Sequence, residues 1–325
     1  MKRTLTLILA TVLCLSLAVC AFADAADDFP KKEITIIVPW NPGGTNDLMA
    51  RGMQPVFMDM FGVNLVVQNT PGGGSAVGIT EALTARPDGY TLGLASSSFL
   101  ALIAQGIVQV DLDSVTNVCL VAEEPIILVA KANNGKFSDA QGMLEIAKSA
   151  PQSVSIGIPG SNNVNQAYAT LFGQAAGTEF MFVPYDGGSR VISEVLGGNI
   201  DCGAVKPSEA LPQIQAGELI PLVIFSDESV SLLPGTPTAG ELGYDIFTLG
   251  KIRHIGYLMA APGVDPAIQA KLADMFYQVL SSEAYQAYAA EVGYVSKPII
   301  GEDLTAMLSE VYGGLEKASQ EIFMQ

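Results

Sequence analysis

From residue 34 to residue 259 the chain alternates short runs rich in β-branched and apolar residues with segments whose apolar residues recur every three or four positions. Strand-like runs fall at 34–40, 64–69, 91–96, 117–121, 126–130, 154–158, 180–185, 201–205, 222–225 and 255–259. Between them lie amphipathic stripes, such as Val164, Tyr168, Leu171, Phe172 and Ala175, or Ile268, Leu272, Met275, Phe276 and Val279. Such alternation confines the chain to the α/β class, with open parallel sheets covered by helices on both faces.

Two places break the rhythm. In "VAEEPIILVAKANNGKF" only Glu123, Glu124 and Pro125 separate two strand-like runs, which leaves no room for a crossover helix. A chain with that pattern steps from one sheet to another. A second crossing is expected in "LGKIRHIGYLMAAPG", 249–263, after which the pattern is helical through 266–280 and again through Leu304, Met307, Leu308, Val311 and Leu315. Those late helices need a sheet to cover, and the N-terminal one is nearest. The expected organisation is therefore a discontinuous first domain, 24–124 plus 251–325, with a second domain, 125–250, inserted in it. Two crossings make a hinge near 122–126 and 249–256, and a hinge between two domains makes a cleft. No internal repeat and no low-complexity linker is visible.

Residues 1–23 read as an export address: Lys2 and Arg3, an apolar run at 5–19, then Ala21, Phe22 and Ala23, with cleavage expected after Ala23. The run is short for a bilayer span, which needs about 20 residues. An alternative acylation box ends at Cys20, but Val19 is bulky for the position before such a cysteine. Without this leader the chain has 14 basic and 33 acidic residues, a net charge of −19. Nucleic acid and anionic lipid are poor partners for it; the sign of a small ligand is not set by net charge, because backbone dipoles make their own local field. Cys119 and Cys202 remain in the mature chain, both in apolar strand-like runs, and read as buried thiols rather than a bridge.

In open α/β sheets ligands sit beyond the carboxyl ends of the strands. That rule selects five loops, 40–47, 71–75, 96–98, 159–163 and 185–189, each rich in Gly, Ser, Asn or Thr. Glycine lets a ligand approach the backbone, and the first turn of a helix offers unpaired N–H groups with partial positive charge. Such loops make anion seats, or else simple turns with helix caps.

What is missing narrows the chemistry. His254 is the one histidine, so a His-rich zinc site is impossible, and no Cys-x-x-Cys occurs. The phosphate-binding pattern G-x-x-x-x-G-K-[ST], the dinucleotide pattern G-x-G-x-x-G and the nucleophile elbow G-x-S-x-G are absent. A Ser/His/Asp triad would have to draft His254 from the crossing segment, where a hinge or core role suits it better. An enzyme reading would rest on Asp47 with a serine from 96–98.

The order of "ITIIVPWNPGGTNDLMAR", "VVQNTPGGGSAVG", "RPDGYTLGLASSS", "IGIPGSNNVNQAYATLFGQAAG", "VPYDGGSRVISEVLGGNIDCGAVKPSEALPQIQAGEL" and "LPGTPTAGELGY" resembles the solute-binding proteins of tripartite tricarboxylate transporters, the Bug family. The likeness runs over nearly the whole mature chain. It implies a two-domain, type II-like periplasmic binding protein in which each domain is an open mixed or parallel sheet flanked by helices. Such a receptor works without a cofactor, closes on a small carboxylate and passes it to two membrane permease subunits. A monomer is expected. A sensor domain feeding a signalling partner is the alternative that the residues leave open.

The resemblance places ligand against Trp40, Asn41, Gly43, Gly44, Thr45 and Asp47, the Gly72, Gly73 and Gly74 turn, Ser96, Ser97 and Ser98, Gly160, Ser161, Asn162 and Asn163, and the Tyr185, Asp186, Gly187 and Gly188 turn. It also implies a grip by backbone N–H groups and waters instead of an arginine fork. An acid beside an anion seat repels the anion, so Asp47 reads as an organiser of the helix start. Four departures mark this chain: Trp40 stands for a frequent phenylalanine, Asn41 for a small apolar residue, Asp186 for a frequent lysine, and Lys206 for a neutral residue. Lys206 either meets a second carboxylate, pairs with Glu209 or is solvated.

Overall fold

The computed structural model describes residues 28–250 and 252–323; the export leader, its cleavage point and the acylation box lie outside the described residues. Ten strands form two sheets of five. The first holds β1 (Ile34–Val38), β2 (Leu65–Asn69), β3 (Thr91–Ser96), β4 (Thr116–Glu124) and β10 (His254–Ala260), in the order β2-β1-β3-β10-β4. The second holds β5 (Ile126–Lys131), β6 (Ser155–Pro159), β7 (Met181–Tyr185), β8 (Cys202–Val205) and β9 (Leu219–Phe225), in the order β7-β6-β8-β5-β9.

The sheets are mixed, not parallel as the alternation alone suggested. β10 runs antiparallel to β3 and β4, and β5 runs antiparallel to β8 and β9. The reason lies in the crossings. β4 and β5 are separated only by Pro125, so β5 enters the second sheet from the end at which β4 leaves the first. β10 makes the return journey. A strand that enters from the side of the crossing must oppose neighbours whose carboxyl ends point to that side. Both sheets thus share one plan, with the foreign strand in fourth place, although the sequence shows no repeat.

Among the described residues ten α-helices flank these sheets: α1 (Thr45–Phe61), α2 (Ala76–Leu83), α3 (Ser97–Ala104), α4 (Ala140–Ser149), α5 (Val164–Ala176), α6 (Gly188–Gly197), α7 (Pro207–Gln215), α8 (Pro266–Ser281), α9 (Glu283–Val292) and α10 (Gly301–Ala318). The late helices do return to the first sheet: α8 and α10 pack on β4, and α9 packs on α1. Leu272, Met275, Phe276 and Val279 are buried as their spacing predicts, and so are Leu304, Leu308, Val311 and Leu315. In α5 the buried stripe ends on Ala176; Ala175 faces outward, a shift of one position at the last turn. Leu102 of α3 and Tyr168 of α5 belong to one apolar cluster that runs from one unit into the other.

Three strand bounds differ from the pattern by more than one residue. β1 stops at Val38, because Pro39 has no N–H with which to continue a ladder. β4 extends through Glu123 and Glu124 because β10 pairs with it along that length, His254 lying opposite Glu124. β9 begins at Leu219 and accommodates Pro221 at a register shift against β5. Between β9 and β10 the described residues of 226–253 form turns and one isolated bridge, Ile224 to Thr238. Cys119 and Cys202 are buried, unbridged and in different sheets, and burial pushes the Cys119 thiol up to about 12.

Candidate functional site

Strands β1, β2, β3, β6, β7 and β8 deliver their following loops to the region between the two sheets, where the loops meet. Gly74 and Gly160, from opposite units, approach so closely that a β-carbon on Gly160 would lie 3.1 Å from Gly74 Cα and 3.5 Å from Trp40 Cη2. Asn41 N–H donates to the Asp186 carbonyl at 3.4 Å, Ser189 Oγ to the Pro42 carbonyl at 3.3 Å, and Gln105 Nε2 to the Asn162 carbonyl at 2.8 Å. Thr45 Oγ1 and Ser208 Oγ lie 2.9 Å apart.

These contacts separate two spaces. The outer one, about 630 Å³, is lined by Asn41, Gly73, Gly74, Gly160, Ser161, Asn162, Tyr185 and Asp186, together with Leu102, Gln105, Ile107, Pro184 and Arg190. The inner one, only about 10 Å³, is lined by Trp40, Gly44, Thr45, Asn46, Ser98, Pro159, Asn165, Gly188, Lys206, Glu209 and His254. Trp40 is 8% exposed and forms part of the inner wall.

The five loops divide by what caps their helices. Ser96 Oγ accepts the Ser98 N–H and Asn163 Oδ1 accepts the Gln166 N–H, so these side chains are spent on α3 and α5 themselves. Ser97 Oγ donates to the Arg253 carbonyl at 2.7 Å and accepts from Ile255 N–H at 2.9 Å, which ties α3 to the start of β10. By contrast the residues that precede α1 and α6 at the cap position are Gly44 and Gly187, and neither glycine brings a capping side chain. The first-turn N–H groups carry the positive end of each helix toward the cleft. Gly72 and Ser75, in the turn before α2, line neither space.

Asp47 is turned into its own loop. Its Oδ2 accepts from Gly43 N–H at 2.9 Å and from Arg51 Nε at 2.8 Å, and its Oδ1 accepts from Asn69 Nδ2 at 3.0 Å. Burial pushes this carboxyl up, but the bonds from Arg51, Gly43 and Asn69 together outweigh burial and hold it below the usual range. Asn69 Nδ2 also reaches the Trp40 carbonyl at 3.1 Å, so the glycine loop is braced from both sides.

Lys206 pairs with Glu209 at 3.0 Å, both nearly buried. Glu209 sits three residues into α7 and accepts the Lys206 N–H at 3.0 Å through its second oxygen, a reciprocal helix-start bond. Its first oxygen lies 3.4 Å from Thr45 N of the opposite unit. A β-carbon on Gly188 would overlap this carboxylate, so the same group also rests on the start of α6. Two uncapped helix starts, one from each unit, converge on one buried negative charge beside one lysine. Nearby, burial and the charge of Lys206 push the His254 imidazole well below its ordinary range, so it is neutral at pH 7. Sequence reasoning missed Asn46, Asn165 and Arg190, in the first turns of α1, α5 and α6, and Gln105, just past the end of α3; the signal for the first three was their place in or directly after a selected loop.

Among the described residues no helix is long and apolar enough to cross a membrane, and no group of three or more His, Cys, Asp or Glu is placed to hold a metal ion. Two mixed sheets joined by two crossing strands, with loops from both meeting in a polar cleft, define a two-domain periplasmic binding protein. A sequence profile described as the tripartite tricarboxylate transporter family receptor matches residues 49–301, and the chain belongs to that family. It is 30% identical over 274 residues to the protein BugT of Bordetella pertussis, covering 82% of each chain. A solved structure described as a periplasmic transporter superposes with a TM-score of 0.82 at 27% identity, over 90% of this chain and 98% of that one. The same fold recurs in a Rhodopseudomonas palustris protein with adipate, TM-score 0.81 at 21% identity over 90% and 98% of the two chains. It recurs again in MatC of that organism with bound malate, TM-score 0.79 at 22% identity over 89% and 99%. Members of this family are solute-binding receptors.

Proposed function

We propose that this protein is an exported receptor that closes on a small organic carboxylate between its two units and hands it to the two membrane subunits of a tripartite transporter. The observation that carries the reading is the convergence of the uncapped starts of α1 and α6, with Lys206 between them, on a buried point suited to a carboxylate. Each helix start contributes about half a positive charge, and the cleft excludes water, so the attraction is stronger there than on the surface. In this reading residues 24–124 and 251–325 move as one domain and 125–250 as the other. They turn about the crossings near 122–126 and 249–256. Trp40, Gly44, Thr45, Ser98, Gly188 and Lys206 hold the carboxylate end. The outer space at Asn41, Gly73, Gly74, Gly160, Ser161, Asn162, Tyr185 and Asp186 takes the rest of the solute. Adipate and malate in the fold relatives are acids of the size this asks for.

Calorimetry of the purified mature protein against mono-, di- and tricarboxylates, amino acids, aromatic acids, sugars and cations tests the reading. A carboxylate is expected to bind at micromolar concentration or tighter. Binding of sugars or cations with no carboxylate binding would sink it. Co-purification with a pair of membrane proteins tests the delivery step; a soluble signalling partner in their place would turn the receptor into a sensor.

A further inference from the structure

The seat between α1 and α6 is filled by the protein's own carboxylate. Glu209 makes the contacts a solute carboxylate would need there: Lys206 Nζ at 3.0 Å, Lys206 N–H at 3.0 Å, Thr45 N at 3.4 Å from the facing unit, and van der Waals contact with Gly188. The remaining inner space of about 10 Å³ admits at most one water, so a solute carboxylate cannot reach Thr45 and Gly188 while Glu209 is in place. Electrostatics gives the same answer. Two carboxylates beside one lysine in a buried cleft leave an uncompensated negative charge, which a low-dielectric site disfavours strongly.

We infer that Glu209 is an internal surrogate for the solute: its carboxylate holds the two units together when no solute is present, and an incoming carboxylate takes its place. This rests on the carboxylate reading above for its second half only. The exchange conserves the charge of the seat, since one carboxylate leaves Lys206 as another arrives. Glu209 lies in the first turn of α7, and that turn retains the Glu209 N–H to Lys206 carbonyl bond at 3.1 Å when the side chain swings away. Lys206 is thereby freed to pair with the solute. Apparent affinity then reports a difference between two carboxylates, one tethered and one free, and is lowered by whatever fraction of the receptor is closed on itself.

The test compares the wild type with Glu209→Gln and Glu209→Ala, using small-angle scattering of the protein without solute and calorimetry with malate, adipate and citrate. Glutamine keeps the size of the side chain and removes its charge. The expected result is a larger radius of gyration for both variants without solute, together with dissociation constants lower by about tenfold or more. Weaker binding by both variants would overturn the inference and make Glu209 a contact for a cationic part of the solute. Unchanged compactness with unchanged affinity would reduce Glu209 to a helix cap, and would overturn it equally. If the variants open while neither they nor the wild type bind any of the three acids, the latch stands and the carboxylate reading falls.

Discussion

Gly160 shows how much closure depends on single atoms. Its φ of +84° is a left-handed conformation that costs other residues roughly 1 kcal/mol or more, and its missing side chain is what lets Gly74 of the opposite unit come near. Gly160→Ala is therefore expected to weaken solute binding by about tenfold, because the closed arrangement must part by a few tenths of an ångström. Gly177 is the control: it has φ +74° and open space around it, so Gly177→Ala should lower the melting temperature while leaving affinity unchanged. Calorimetry and thermal melts on both variants check this pair. Asp47 is a residue of a different kind. Its carboxylate serves the loop and Arg51, so Asp47→Asn is expected to lose about 1–3 kcal/mol of stability at pH 7, the range for charge-assisted bonds in a buried setting. Because its folded carboxyl lies below the ordinary value, that stabilisation is complete above pH about 4 and disappears as pH falls through the folded value. Urea unfolding of the two proteins at pH 7 and at pH 3 should show a gap that narrows in acid.

At the scale of elements, the crossing strands carry the consequence. Glu124 ends β4 at the first crossing, accepts the Ser208 N–H of the other unit at 3.3 Å through one oxygen, and has no hydrogen-bond partner at the second. Burial pushes its carboxyl up from 4.5 to about 7, with Lys206 pulling it down and Glu209 pushing it up. An acid with a raised folded value binds protons more tightly folded than unfolded. Stability from this group is therefore greatest below about pH 4.5 and declines as pH rises to about 7. The stability of the wild type relative to Glu124→Gln should fall by up to about 3 kcal/mol between pH 4.5 and pH 8, measured by denaturant unfolding. A flat difference would place Glu124 in water. The position of this crossing was legible in the sequence, because Glu123, Glu124 and Pro125 leave no length for a helix. The direction of β5 and β10 was not: strand pattern records which side chains are buried, and that is the same for parallel and antiparallel neighbours in a sheet covered on both faces.

For the molecule as a whole, a net charge of −17 has to coexist with the proposed seat for an anion, and this requires the seat to be local. Helix starts, glycine backbone and one lysine supply a field within a few ångströms, whereas the surface charge is screened over about 8 Å at physiological salt. What the sequence determined by itself was the alternation of strands and helices, the two crossings, the five loops rich in small and polar residues at strand ends, and the absence of the usual catalytic motifs. All of these are properties of neighbours along the chain. Only the tertiary structure decided which of those loops face the cleft without a capping side chain and which cap their own helices. It alone turned Asp47 inward, brought Thr45 and Glu209 together across 164 positions, and set the Glu209 carboxylate between the starts of α1 and α6. Those outcomes depend on approach between residues far apart in sequence, where a difference of one ångström decides whether a polar group meets a partner, a solute or water.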